Sequence, residues 1–219
     1  MAKRKKSLEL LEPILVETFG LERSNLTSPL LDEWLDVTGF LKPEEKILLD
    51  KSVDKLIENA DSWNEEELKM NFISIIIYLA DFSNSIRTYY DREVSVEIDG
   101  ISLNCKSDMM LSKGIGELIK TPYFFLHAGG VPQCKREKKY SGDPVGQMLG
   151  GMLIGQAKNN NHKPMYGCYV QGRYWFFSVL IEKKYVISKS FDASNIDSVT
   201  AIVFILRKLN RIILETLMD

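Results

Sequence analysis

The sequence predicts an α+β fold in which a helical N-terminal region precedes a central mixed β-sheet flanked by helices. Three observations carry that prediction. Apolar residues recur at helical spacing as far as Leu79. The period then changes to alternation, with Val94, Val96 and Ile98 on one face. Beyond that point strand-like runs are interleaved with two more helical patterns, which calls for a sheet covered by helices. The division expected is a helical region over residues 1–62 and an α/β core over residues 63–219, the two forming one compact unit.

Residues 8–19 place Leu8, Leu11, Ile14, Leu15 and Phe19 on a helical period, and Pro13 is expected to break or restart that helix. Ser28 and Pro29 open a short segment bearing Leu30, Leu31, Trp34 and Leu35. Pro43, Glu44 and Glu45 mark a helix start, because proline suits the first turn and acids suit the positive end of the helix dipole. That helix should end near Asp61. Asn64 is a good N-cap for the next one, with Glu65, Glu66 and Glu67 in its first turn. Its Leu68, Phe72, Ile73, Ile76, Ile77 and Leu79 read as buried. Residues 81–91 read as a further helical connection.

Asp99 and Gly100 are a hairpin signal. Ile101, Leu103 and Cys105 alternate in the return strand, which continues through Asp108 towards Leu111. Residues 114–120 read as a loop or one helical turn, and residues 122–127 as an apolar, aromatic strand. Residues 128–132, Ala-Gly-Gly-Val-Pro, read as an irregular breaker. A helix over residues 145–159 carries Gly146, Gly150, Gly151 and Gly155. Glycines are poor helix formers, but at this spacing they leave a flat stripe that lets a helix lie close on a sheet. Strand candidates follow at residues 165–171, 174–181 and 185–191, and Asn195 opens the last helix.

Of the 219 residues, 45% are apolar and 26% charged, with a formal net charge of −2, which is ordinary globular composition. The longest near-apolar run, residues 72–80, is far too short to span a bilayer. The basic N-terminus is not followed by a signal-peptide pattern, so a cytoplasmic location and no membrane are expected. Cys105, Cys134 and Cys168 have no Cys-x-x-Cys spacing and suggest reduced thiols. Residues 1–100 carry 12 Lys and Arg against 21 Asp and Glu, whereas residues 101–219 carry 16 against 9. A basic second half suits a phosphate-bearing partner.

Several chemistries drop out. Gly114 and Gly116 lack the third glycine of a dinucleotide fingerprint, and no phosphate-binding Gly-Lys-Ser/Thr occurs, so no nucleotide cofactor is expected. His127 and His162 have no metal-ligand spacing and read as structural or surface residues. What remains is Asp108, followed by Gln133, Cys134 and Lys135. In an extended segment Gln133 and Lys135 point the same way. A carboxylate, an amide oxygen and an ammonium on one patch are what metal-assisted phosphodiester hydrolysis needs. Hard oxygens hold Mg²⁺, the metal acidifies water, and the lysine stabilises developing negative charge. The adjoining run of Arg136, Lys138 and Lys139 could track a phosphate backbone.

With these residues the chain resembles the PD-(D/E)xK, or restriction endonuclease-like, nuclease superfamily. The order from Asn64 to about Tyr169 is similar to its α-β-β-β-α-β core. Asn64 to Lys69 followed by Phe72 and Ile73 resembles the N-terminal helix of restriction-type members, whose acid falls on Glu65. Lys106, Ser107 and Asp108 take the place of the second-strand Asp. Asp143, Pro144, Gln147, Met148, Leu149 and Met152 resemble the helix after the third strand in an uncharacterised bacterial branch, as do residues 166–169 and 172–177 further on. The resemblance implies Mg²⁺ or Mn²⁺, one or two ions, held by Glu65, Asp108 and Gln133. It implies catalysis by Asp108, Gln133 and Lys135; the charge of Arg136, Lys138 and Lys139 makes them candidate DNA contacts, and Gln147 could orient the lysine or a phosphate, or merely cap the turn. A homodimer stays open. The chain departs from the pattern in reading Gln133-x-Lys135 where Glu-x-Lys is usual, with Ala128 to Pro132 inserted ahead of it. The alternative is a catalytically degenerate member that binds nucleic acid or protein.

Overall fold

The computed structural model describes residues 7–24, 28–115, 118–129 and 143–218. Helix α1 is Glu12–Phe19, followed by strand β1 (Glu22–Arg23), α2 (Pro29–Leu35) and α3 (Pro43–Asn59). Next come α4 (Glu65–Leu68), a π-helical stretch (Lys69–Ile73) and α5 (Ser74–Ala80), which form one continuous helical run. The strands β2 (Arg87–Ile98), β3 (Ile101–Ile115) and β4 (Leu118–Gly129) follow, then α6 (Pro144–Asn159). The chain continues through β5 (Met165–Gln171), β6 (Tyr174–Ile181), β7 (Lys184–Ile187) and β8 (Phe191–Asp192) to α7 (Ile196–Met218).

The strands form one eight-stranded mixed sheet in the order β1-β7-β6-β5-β4-β3-β2, with β8 paired to β6. The strands β2, β3 and β4 make an antiparallel meander, and β5 returns parallel to β4 after α6. A parallel return requires a crossover connection, and α6 lies within the one between these two strands. Helices cover both faces. On one, Trp34 of α2, Leu56 of α3, Phe72 and Ile76 of the central helical run, and Ile202 and Leu206 of α7 pack on Phe124, Leu126, Cys168 and Phe177. On the other, Leu15 of α1 and Met148 and Met152 of α6 pack on Phe125, Tyr169 and Leu180. Consecutive residues of β4 therefore serve opposite cores, as the two-residue strand period requires. The Trp34 indole donates to the Ile205 carbonyl at 3.0 Å and meets Phe124, Tyr166 and Phe177 edge-on.

Helix starts follow their sequence signals. Asn64 Oδ1 accepts from Glu67 N–H at 3.0 Å while the Glu67 carboxylate accepts from Asn64 N–H, a complete capping box. Asn195 accepts from the amides of Asp197 and Ser198. Asp143 joins two helices: Oδ1 caps Val145 N–H of α6 at 3.0 Å, and Oδ2 accepts Glu12 N–H of α1 at 2.6 Å. The glycine stripe of α6 divides its work. A Cβ at Gly151 or Gly155 would stand within 3 Å of the Phe125 ring, and one at Gly146 would run into the Leu10 backbone.

Four expectations need correction. Pro13 does not break the first helix but lies within its first turn, where its missing N–H costs nothing. Residues 81–91 are not a helical connection, since β2 begins at Arg87 and pairs with β3 as far as Ser112. Thr88, Tyr89 and Tyr90 are strand formers, and the β3 partner decides their state. The 114–120 segment is not a loop or helical turn, because β3 runs to Ile115 and β4 starts at Leu118, with Ile115 opposite Leu118. Ala128 and Gly129 are not part of a breaker, since they still pair with Val170 and Gln171, and residues 130–132 lie outside the described residues.

Candidate functional site

In β3 the side-chain alternation changes phase at Asp108. Leu103 and Cys105 face the α6 side, whereas Met109 and Leu111 face the α7 side. The β2 ladder shows the cause: Tyr90 pairs with Met109 and Arg92 with Ser107, but the position between them is skipped, and Asp91 there has φ 54°. Irregularities of this kind re-aim side chains. The registered β3–β4 pairing also starts only at Met109 and Leu126. On the other side of that point, the Asp108 carboxylate replaces a strand partner, and its Oδ2 accepts Ala128 N–H at 2.9 Å.

Two side chains, Lys69 and His127, meet this carboxylate directly. Lys69, where the π-helical stretch begins, donates to Asp108 Oδ1 at 2.9 Å. The same ammonium meets Glu65 Oε1 at 3.1 Å and Glu66 Oε1 at 2.5 Å. His127 Nδ1 stands 3.5 Å from Asp108 Oδ2, and its Nε2 stands 3.4 Å from Cys105 Sγ. The imidazole thus bridges the carboxylate and the thiol through its two ring nitrogens. The thiol also lies 3.5 Å from the Gln147 carbonyl in α6.

Burial pushes the Asp108 carboxyl up, but His127, the Ala128 amide and Lys69 outweigh it and hold its pKa at about 2. Burial likewise disfavours the Lys69 ammonium, yet its bonds to Glu66, Asp108 and Glu65 leave its pKa above the ordinary lysine value. Burial, with the Asp108 charge second, pushes the Cys105 thiol up to about 12, so it is protonated at neutral pH. The site at neutral pH is thus an anionic Asp108 bound to a cationic Lys69, backed by a neutral thiol.

The geometry brings together Glu65 and Asp108, which share Lys69, and places the backbone of Gln147 behind the Cys105–His127 pair. Gln133, Lys135, Arg136, Lys138 and Lys139 lie outside the described residues. Carboxylate oxygens are the right chemistry for Mg²⁺. Their spacing is that of ammonium ligands, however, and among the described residues no three His, Cys, Asp or Glu side chains stand close enough to hold a metal. Lys69 and His127 are the residues that motif reading missed. The i,i+4 spacing of Glu65 and Lys69 signals their pairing, but nothing local signals that Asp108 completes it. His127 is buried, as a structural residue would be, but beside Asp108 rather than in an apolar setting.

No protein-family model matches the chain, and no curated protein matches it. Among the described residues no helix is long and apolar enough to cross a membrane. Cys105 and Cys168 are free, buried thiols.

Proposed function

We propose that this chain is a cytoplasmic, metal-dependent nuclease of the restriction endonuclease-like superfamily that hydrolyses DNA phosphodiester bonds. The observation that carries the reading is the meeting of Asp108 and Glu65 where β3 and β4 part. The helix, antiparallel meander, helix and parallel strand that surround this point support it. Asp108 and Glu65 would supply carboxylates to Mg²⁺ or Mn²⁺, with the Gln133 amide as a neutral third ligand. A bound divalent ion polarises a phosphate and acidifies water. Lys135 would stabilise the charge that develops on the phosphate, while Arg136, Lys138, Lys139 and Gln147 hold the DNA. His127 and the Ala128 amide fix the orientation of Asp108 and keep it ionised.

A second reading, a non-catalytic DNA-binding member of the same fold, is favoured by the Lys69 ammonium bound to Asp108. Plasmid cleavage separates the two. With Mg²⁺ or Mn²⁺ the wild type nicks or linearises DNA, Gln133→Glu does so faster because it brings a charge to the cation, and Asp108→Ala is inactive. DNA binding with no cleavage by wild type or Gln133→Glu establishes the second reading instead. Binding of neither DNA nor metal leaves a likeness of fold alone.

A further inference from the structure

An ammonium has three hydrogen-bond donors. Lys69 donates to Asp108 Oδ1 at 2.9 Å and Glu65 Oε1 at 3.1 Å, and its ammonium is ion-paired with Glu66 Oε1 at 2.5 Å. The acceptors come from separate elements, two from the first turn of α4 and one from β3. The Lys69 side chain is only 20% exposed and that of Asp108 15%, so bulk water screens the contact weakly. The backbone supports the placement. Lys69 N–H is shared between the Glu65 and Glu66 carbonyls where the α-helix passes into the π-helical stretch, and the stretch starts at Lys69 itself. Single π turns of this sort are frequent at functional sites.

A divalent metal cannot share this position. Mg²⁺ needs oxygens at about 2.1 Å in a near-octahedral shell, whereas the carboxylates are spread to ammonium distances. An ion on Asp108 would also lie against a like charge at hydrogen-bonding range. We propose that Lys69 is an exchangeable counter-cation that closes the Asp108–Glu65 site to divalent metals, so that metal enters only when Lys69 leaves. The proposal rests on the reading of Asp108 and Glu65 as metal ligands. It adds a regulation to that site: the chain supplies its own competitor for the metal. The cluster of Glu65, Glu66, Asp108 and Lys69 keeps two uncompensated negative charges, so attraction for a divalent ion persists while the place is taken. A phosphate oxygen is a partner that could draw the ammonium away, since Lys binds phosphate as a point charge.

The test is the Mg²⁺ and Mn²⁺ affinity of the purified chain without DNA, measured by titration calorimetry. Lys69→Met removes the competitor and is expected to bind at least ten-fold more tightly than wild type. Lys69→Gln serves the same purpose with a hydrogen-bond donor retained for Asp108, should the methionine variant not fold. Lys69→Arg keeps the charge and is expected to bind no more tightly than wild type. Adding Asp108→Asn to Lys69→Met should cancel the gain. Unchanged or weaker affinity in both neutral variants overturns the proposal, as does a gain that survives loss of the Asp108 charge. These outcomes are separate from the cleavage assay. A gain in metal binding without cleavage upholds the competitor and removes the nuclease, whereas Asp108-dependent cleavage with no gain does the reverse.

Discussion

Asp108 carries more of the site than any other residue, and its ionisation is tied to folding. Its carboxyl is held at about 2, below its ordinary value of 3.8. A depressed folded-state pKa contributes stability that is fully present above the unfolded value and is lost as pH falls through the folded one. The window is therefore about pH 4 down to about pH 2. Urea unfolding across it should show wild type losing about 1–2 kcal/mol relative to Asp108→Asn, an amount already reduced for partial exposure. Parallel loss in both proteins would show that Asp108 is not the group responsible. Glu65 and Asp108 stand out in the sequence as candidates because each sits in a recognisable local context, a capped first turn and a polar interruption of an apolar strand. Lys69 and His127 were not, because what makes them matter is the change of phase in β3 and the entry of a side chain between β3 and β4. Neither feature has a sequence period.

Helix α6 shows how an element can be read from its ends and still hide its contacts. Its start at Asp143 and Pro144 and its flat glycine stripe both follow from residue type. The second task of Asp143, capping α1 from another element, depends on where the N-terminal segment docks. Asp143→Ala should cost about 1–2 kcal/mol, since one substitution removes a cap from each of two helices. Gly146→Ala should destabilise by about 1–3 kcal/mol through overpacking against the Leu10 backbone. Both costs can be measured from urea midpoints, and an unchanged midpoint for Gly146→Ala would mean that α1 and its leading segment do not dock as described. Strand β2 is the opposite case. Its second half alternates and is legible as a strand, whereas in its first half the strand formers Thr88, Tyr89 and Tyr90 show no clean alternation and are held in the sheet by pairing with β3.

Across the whole chain, charge and layering point to one division of labour. The acidic first half supplies α2, α3 and the central helical run on one face, α1 on the other, and the strands β1 and β2, and among the described residues it meets Asp108 through Lys69, which Glu65 and Glu66 also hold. The basic second half holds the groups suited to a nucleic-acid backbone. If DNA is the partner, log affinity should fall linearly with log salt, and Lys138→Ala with Lys139→Ala should weaken binding and reduce the slope by about 2. Salt-insensitive binding, or an unchanged slope, would assign binding to another face. A mixed sheet with helical cover follows from the alternation of periods along the sequence, whereas the strand order does not, and the partners of β1 and β8 least of all, because strands of two residues carry no pattern. The central claim is that Asp108 is a metal ligand held in reserve by Lys69. Anomalous scattering from crystals soaked in Mn²⁺ tests it most directly. The account predicts Mn²⁺ on Asp108, with the Gln133 oxygen converging on it and the Lys69 ammonium displaced. Mn²⁺ bound only elsewhere, with Lys69 still on Asp108 at saturating metal, would contradict it.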